Sequence, residues 1–188
     1  AEIDPLAFNM PPSAKHLLGG DDVGRDVLSR LLYGGRVSLA VGIFSTAVSV
    51  IVGIPLGMLA AFYRGAFEVV VMRLSDIFMS FPSTILILFL VSMFGPSIIT
   101  VTVVIGVLGW PKFARQIYGS VLSIREKDYI EGAVAIGAKD KLIITRYILP
   151  NAVAPIFISI TFRIASAIIL ESSLSFLGMG VQPPAASW

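Results

Sequence analysis

VSLAVGIFSTAVSVIVGIPLGMLAAF, residues 37–62, carries no charged side chain. A helix over this stretch reaches about 39 Å, more than the ~30 Å hydrocarbon core of a bilayer. The reading is a transmembrane helix, and the composition agrees with it. Of 188 residues, 56% are hydrophobic and 14% charged, and the mean hydropathy of +0.88 lies outside the range of ordinary soluble domains. The stretch is too long and too deep in the chain for a signal peptide, and nothing upstream resembles one.

Outward from it, residues 77–111 form a second charge-free run, broken at Phe81-Pro82 and again at Gly95-Pro96. It is too long for one crossing and reads as two, 77–94 and 97 to about 120, joined by a tight outer turn at Gly95-Pro96. A further apolar segment from Ala152 to Leu170 contains one charge, Arg163, and ends at Glu171. The expectation is an all-α membrane protein with four crossings.

Upstream of Val37, residues 1–36 hold Pro5, Pro11, Pro12 and the cluster Gly19-Gly20-Asp21-Asp22. Val27, Leu28, Leu31 and Leu32 recur at helical spacing and predict a short amphipathic helix lying at the outer interface. The chain shows no internal repeat and no low-complexity linker.

The absence of cysteine excludes a disulfide framework, thiol catalysis and cysteine metal sites. A single histidine, His16, excludes a histidine-rich metal site; set in a polar stretch, it reads as a solvated surface side chain. A formal charge of +2 is too small to suggest nucleic acid. Gly19 to Gly24 has the glycine spacing of a phosphate loop, but Arg25-Asp26 stands where Lys-Ser/Thr is required and Asp21-Asp22 would repel phosphate. Any ATP must be hydrolysed by another chain.

The placement of charge gives the orientation. Residues 112–146 hold Lys112, Arg115, Arg125, Lys127, Lys139, Lys141 and Arg146 against Glu126, Asp128, Glu131 and Asp140, whereas acids outnumber cations in residues 1–36. Lysine and arginine concentrate in cytoplasmic loops, so the 112–146 loop goes inside and the N-terminal segment outside. Within that loop, Ile124 to Ile136 reads as a helix bearing the small residues Gly132, Ala133 and Ala135. Gly137 ends it in a left-handed conformation, Asp140 caps a second helix from Lys141 to Leu149, and Pro150 marks a bend back into the membrane. Small residues let such an element press into a groove on another protein, and its rim charges set register.

Glu131-Gly132-Ala133, then Gly137, then Ile148-Leu149-Pro150-Asn151, resembles the EAA loop by which permease subunits of ABC importers dock into their ATPase. The departure is Gly132, where the family usually has alanine; glycine costs roughly 1 kcal/mol of helix propensity there but is small enough for a groove. The resemblance extends over nearly the whole chain. Gly24-Arg25-Asp26-Val27 with Ser29-Arg30, and Gly35-Arg36-Val37-Ser38-Leu39, are similar to the segment before the first core helix of the dipeptide, oligopeptide and nickel importer permeases. Arg73-Leu74-Ser75-Asp76 with Phe81-Pro82, Gly109-Trp110-Pro111, Leu174-Ser175-Phe176-Leu177-Gly178, Gly180-Val181-Gln182-Pro183-Pro184 and Ser187-Trp188 complete the set, which most resembles the C-type member of a permease pair.

The resemblance implies a MetI-like type I ABC importer transmembrane fold, with a permease domain over 37–188, incomplete at its C-terminus, and a cytoplasmic coupling loop over 124–151. Family members carry a further helix before the outer segment and another after the Ser-Trp, so a fragment lacking one crossing at each end is expected. The implied partners are a second permease forming a heterodimer, two cytoplasmic ATPase subunits, an extracytoplasmic solute-binding protein and the lipid bilayer; no cofactor or metal is implied. The implied location is the inner membrane. Relatives handle dipeptides, longer peptides, nickel chelates or glutathione, and the choice stays open. Glu131, Gly132, Ala133, Gly137, Ala138, Asp140, Ile148, Leu149 and Pro150 are the implied coupling residues.

Several other residues have two readings. Gly53 and Gly57 suit close helix packing, with a bend at Pro55 as the alternative. Arg163 and Glu171 are ionisable residues in or at the end of an apolar segment, candidates for the translocation path or for polar contacts in the bundle. Eight residues apart, about 12 Å along a helix, they do not pair within one straight helix. Arg163 suits a peptide carboxylate or an acid on the partner permease; Glu171 suits holding a turn at Ser172-Ser173-Leu174. Asp76 and Arg73 suit a local ion pair, and Met72, Met79 and Met93 suit packing. A secondary transporter or channel that works without an ATPase is the rival function. An intramembrane enzyme lacks support, because the apolar segments show no paired acids, histidine motif or nucleophile elbow.

Overall fold

A computed structural model describes residues 8–180, and among them every named element is helical. The last part of the family resemblance, residues 181–188, lies outside the described residues, as does Pro5.

Helix α1 spans Val27–Tyr63, α2 Gly65–Ser80, α3 Ser83–Phe94, α4 Ile98–Arg125 and α5 Asp128–Ala135. After a turn, α6 (Asp140–Leu142), a π-helical stretch (Ile143–Ile148) and α7 (Leu149–Phe176) follow without interruption. Three helices, Val27–Tyr63, Ile98–Arg125 and Asp140–Phe176, are each long and apolar enough to cross a membrane. The fourth expected crossing is a bent pair, α2 and α3 meeting at 88°. The break falls at Phe81-Pro82, where Phe81 is extended, as the residue before a proline prefers. The crossing expected over 77–94 is therefore not one straight helix.

Two further expectations change. The amphipathic segment 27–33 is not a separate interfacial helix but the first turns of α1, which run through Gly34-Gly35 because both glycines are buried in the bundle. Asp26 starts that helix by accepting a hydrogen bond from the Ser29 amide at 2.8 Å. Lys112 and Arg115, counted with the loop cations, lie inside α4.

The buried face of α1 is built from small residues: Gly34, Ser38, Gly42, Ser45, Ser49, Gly53, Gly57 and Ala60. Its large apolar side chains, such as Phe44 and Ile51, point outward. This inverts the pattern of a soluble helix, because lipid accepts bulky apolar groups while close helix contact needs small ones. The two backbones of α1 and α4 come close along this stripe. A Cβ at Gly53 would lie 2.6 Å from the Trp110 carbonyl, and one at Gly57 would collide with the Ala114 carbonyl. Ser49 Oγ donates to the Gly106 carbonyl at 2.7 Å. The glycine pair thus serves packing, and α1 continues unbroken through Pro55.

Helix α4 is the hub, touching α1, α2, α3, α5 and α7. Ser97 caps it through the Thr100 amide at 3.0 Å, two residues past the left-handed Gly95. At one end Ile117, Val121, Ile130, Ile143, Ile148 and Ile156 form a shared core; at the other, Val41, Ile87, Val91, Ile105 and Leu174 form a second. Met72 packs beside a third cluster around Trp110, whereas Met79 and Met93 lie on the surface.

The segment before α1 is folded back on itself. Asp21 accepts from the Arg25 amide at 2.8 Å, the Val23 amide at 2.9 Å, and the Arg25 and Arg30 guanidinium groups at 3.1 and 2.8 Å. His16, expected in solvent, is only 12% exposed, with Nδ1 3.1 Å from Asp26 Oδ1.

A Gly57→Ala substitution forces a methyl into a backbone carbonyl that cannot rotate away, and is expected to destabilise the bundle by about 1–3 kcal/mol. A lowered thermal midpoint in detergent checks this. The hydrogen bond from the Arg25 amide, with those from Arg30, Val23 and the Arg25 side chain, holds the Asp21 carboxyl well below the usual carboxylate range. Protonation is easier in the unfolded loop than in the folded one. The loop is therefore fully stabilised above the ordinary carboxylate pKa of about 4 and loses that contribution as pH falls below it. Amide hydrogen exchange at Val23 and Arg25, measured down to pH 3, should show the protection decline, and Asp21→Asn should abolish the dependence.

Candidate functional site

The chain reverses direction after α4. Arg125 is its last residue, and the Lys127 amide turns back to the Ile124 carbonyl at 3.1 Å. The helix expected over Ile124–Ile136 is therefore divided, and α5 starts only at Asp128. Asp128 and Glu131 stand in its first turn, where carboxylates are favoured by the exposed amides. Ile130 and Ala133, three residues apart on one face, are buried against the bundle.

Gly137 adopts φ +80° and ends α5 as expected. Its amide donates to the Val134 carbonyl at 2.9 Å and the Ala138 amide to the Ala133 carbonyl at 3.0 Å, the paired bonds of a Schellman cap. That cap turns Ala138 onto the same core as Ile130 and Ile143. Asp140 does not cap the next helix. Lys139 occupies the cap position without a side-chain bond, and Asp140 is the first helical residue.

Pro150 does not interrupt the helix. The π-helical stretch before it widens the turn, so the Leu149 amide bonds to the Ile144 carbonyl five residues back. Pro150 then falls in the first turn of α7, and Asn151 Nδ2 donates to the Tyr147 carbonyl at 2.7 Å. A wider turn accommodates a residue with no amide hydrogen without breaking the rod. Ile148 is fully buried, Leu149 half-buried and Pro150 exposed.

The opposite face of the loop is open. Glu131, Gly132 and Gly137 are exposed, and a Cβ at either glycine would meet nothing within 4 Å. Glu131 lines a shallow cavity of about 360 Å³ with Arg125, Ile130, Val134 and Ala135. Beside it Ile136 is 85% exposed. The loop therefore has an apolar inner side seated in the bundle and an outer side bearing a carboxylate and uncovered apolar groups.

Arg163 and Glu171 lie elsewhere and do not meet. Arg163 Nη2 donates to the Ile105 carbonyl of α4 at 2.8 Å. Glu171 is fully buried; its Oε2 accepts from Ser38 Oγ at 2.9 Å and its Oε1 from Ser175 Oγ at 2.7 Å. Helix α7 continues through Ser172-Ser173-Leu174, so Glu171 holds no turn there but ties α7 to α1. Asp76 reaches Arg73 only at 3.9 Å, and its closer partner is Arg115 of α4. Tyr118 Oη donates to Glu68, and Arg125 Nη1 donates to the Phe62 carbonyl at 2.8 Å. These last contacts join residues 39 to 63 positions apart, and no local pattern signals them.

Residues 53–188 match the family described as binding-protein-dependent transport system inner membrane component. The chain is 42% identical over 181 residues, 96% of its length, to a glutathione transport system permease protein of Pectobacterium atrosepticum. It is 43% identical over 178 residues, 95% of its length, to a putative peptide transport system permease protein of Brucella suis. It is 38% identical over all 188 residues to a dipeptide transport system permease protein of Alkalihalophilus pseudofirmus. It spans about three fifths of these curated relatives, 60%, 60% and 62% of their lengths. Among solved structures, a chain of the inward-facing MetNI methionine ABC transporter superposes with a TM-score of 0.71 at 22% identity, covering 82% of this chain and 77% of that one. The fold is therefore that of the type I importer membrane subunits, as the resemblance implied. By the extent of the family match and the identity to these relatives, the chain belongs to the binding-protein-dependent transport system inner membrane component family.

Proposed function

We propose that this chain is the permease subunit of an ATP-driven importer of peptides or a related solute, working through the loop at 124–151. It pairs with a second permease to form a heterodimer enclosing the path. Two cytoplasmic ATPases engage the two coupling loops, and an extracytoplasmic binding protein delivers the solute. The loop is cytoplasmic, the segment 1–36 external, and residues 37–188 form the permease domain. The names of the relatives, covering peptides, dipeptides and glutathione, support the solute class.

The observation that carries this reading is the two-sided loop. Ile130, Ile143 and Ile148 fasten it to the bundle core and Ala133 is buried, while Glu131, Gly132, Val134, Ile136 and Gly137 stay uncovered. A partner pulling on the outer side moves the inner side with it, because the π-helical stretch continues into α7 without a break at Pro150. ATP binding would close the ATPases, draw the coupling loops together and turn the cavity outward; hydrolysis would release it inward. Glu131, Ala133, Gly137, Ala138 and Asp140 shape the docking turn, and Ile148, Leu149 and Pro150 carry force into α7. In this reading the chemistry on ATP belongs to the partner ATPases.

The test is co-purification of the complete transporter, with its partner permease and ATPases. Glu131→Ala and Gly137→Val should each reduce the co-purified ATPase about tenfold, a change of about 1.4 kcal/mol, while the permease pair stays assembled. Gly132→Ala should retain docking, since its methyl meets no neighbour and gains roughly 1 kcal/mol of helix propensity. A permease pair that takes up solute with no ATPase present would favour a secondary transporter or channel instead.

A further inference from the structure

Two cations lie at the centres of two membrane helices, with no acid paired to them among the described residues. Fourteen residues separate Lys112 from the start of α4 and Arg163 from the start of α7, about 21 Å along each. Both line one cavity of about 300 Å³ between these helices, together with Phe113, Gln116, Ser159 and Ser166. No carboxylate lines it, and neither cation belongs to an ion pair among the described residues.

The arrangement is built, not incidental. Arg163 is pinned to the Ile105 carbonyl at 2.8 Å, and its Nε is buried without an acceptor among the described residues. Gly109 makes the space: a Cβ there would lie 2.5 Å from Arg163 Nη2 and 3.0 Å from Cζ. Gln116 Nε2 donates across to the Pro155 carbonyl of α7 at 3.4 Å. Lys112, by contrast, is exposed and makes no hydrogen bond among the described residues, so its ammonium is free to swing toward an arriving group. Charges at such depth are costly in a membrane protein unless they face water, protein or a ligand. A concave space of this size suits a small ligand with a few placed polar partners.

We propose that this cavity is a mid-path site for the carboxylate of the transported solute, with Arg163 as the fixed cation and Lys112 as the mobile one. The proposal rests on the permease reading above and names the recognition step within it. A fixed and a mobile cation give attraction without permanent capture, because the mobile partner withdraws as the cavity changes access. Gln116, Ser159 and Ser166 supply neutral polar atoms that suit amide groups of the same solute.

The test uses the complete transporter, with binding protein, in proteoliposomes. ATP-driven uptake of radiolabelled dialanine and glutathione is compared with that of dialanine amide. Lys112→Gln and Arg163→Gln should each lower uptake of the free acids at least about tenfold, the usual loss for a charge-assisted hydrogen bond. Lys112→Arg and Arg163→Lys should keep most of it, and dialanine amide uptake should change little in any variant. Should Arg163→Gln fail to assemble, Lys112→Gln carries the test alone. Free-acid uptake by Lys112→Gln at the wild-type rate would overturn the proposal. So would loss of the second permease from that variant on co-purification, which would assign the cavity to an acid of the partner chain. If the wild-type transporter takes up no free-acid peptide, longer chains such as pentaalanine included, the peptide solute class of that reading fails and the proposal falls with it.

Discussion

The close approach of α1 and α4 backbones is the constraint on which the rest of this structure depends. Inside a bilayer, lipid tails compete equally for apolar side chains, so helices associate through packing and hydrogen bonds. Gly53 and Gly57 let α1 settle against the Trp110 and Ala114 carbonyls, and Ser49 bonds to the Gly106 carbonyl in the same groove. With α4 held in this way, α2, α3 and α7 find their places on its remaining faces.

The same economy of volume makes room for polar groups in the bundle. Gly109 leaves space for the Arg163 guanidinium, and Ser38, another small residue of the α1 stripe, satisfies one oxygen of the buried Glu171. Truncating a partner of such a group would leave a buried charge or carboxyl unsatisfied, which costs more than the bond itself contributes. Packing and polar satisfaction are thus two uses of one set of small residues.

The loop at 124–151 extends this bundle rather than hanging from it. Ile130, Ile143 and Ile148 share a core with Ile117 and Val121 of α4 and Ile156 of α7, and the Schellman cap at Gly137 turns Ala138 into that core. Its outer residues are consequently presented on a rigid base. Rigidity matters for the proposed role, since a loop that deformed under load would transmit little of a partner's motion.

Much of this was legible in the chain. Charge-free lengths marked the apolar spans, the Gly53 and Gly57 pair marked one close contact of α1, and Gly137 marked a left-handed helix end, because each is a local consequence of backbone geometry or of lipid as solvent. What sequence reading missed had non-local causes. Pro150 promised a bend that a π-turn absorbs, the 27–33 segment promised an interfacial helix that the bundle draws into α1, and Asp76 promised a partner three residues away whereas Arg115 supplies a closer one. His16 looked solvated until Asp26 folded back beside it. The sequence by itself determined the solvent, the helical class with its apolar spans, and the family. Only the tertiary structure decided which charges meet, which helix ends continue, and that Lys112 and Arg163 face one cavity, since those depend on distances between residues that chain order does not encode.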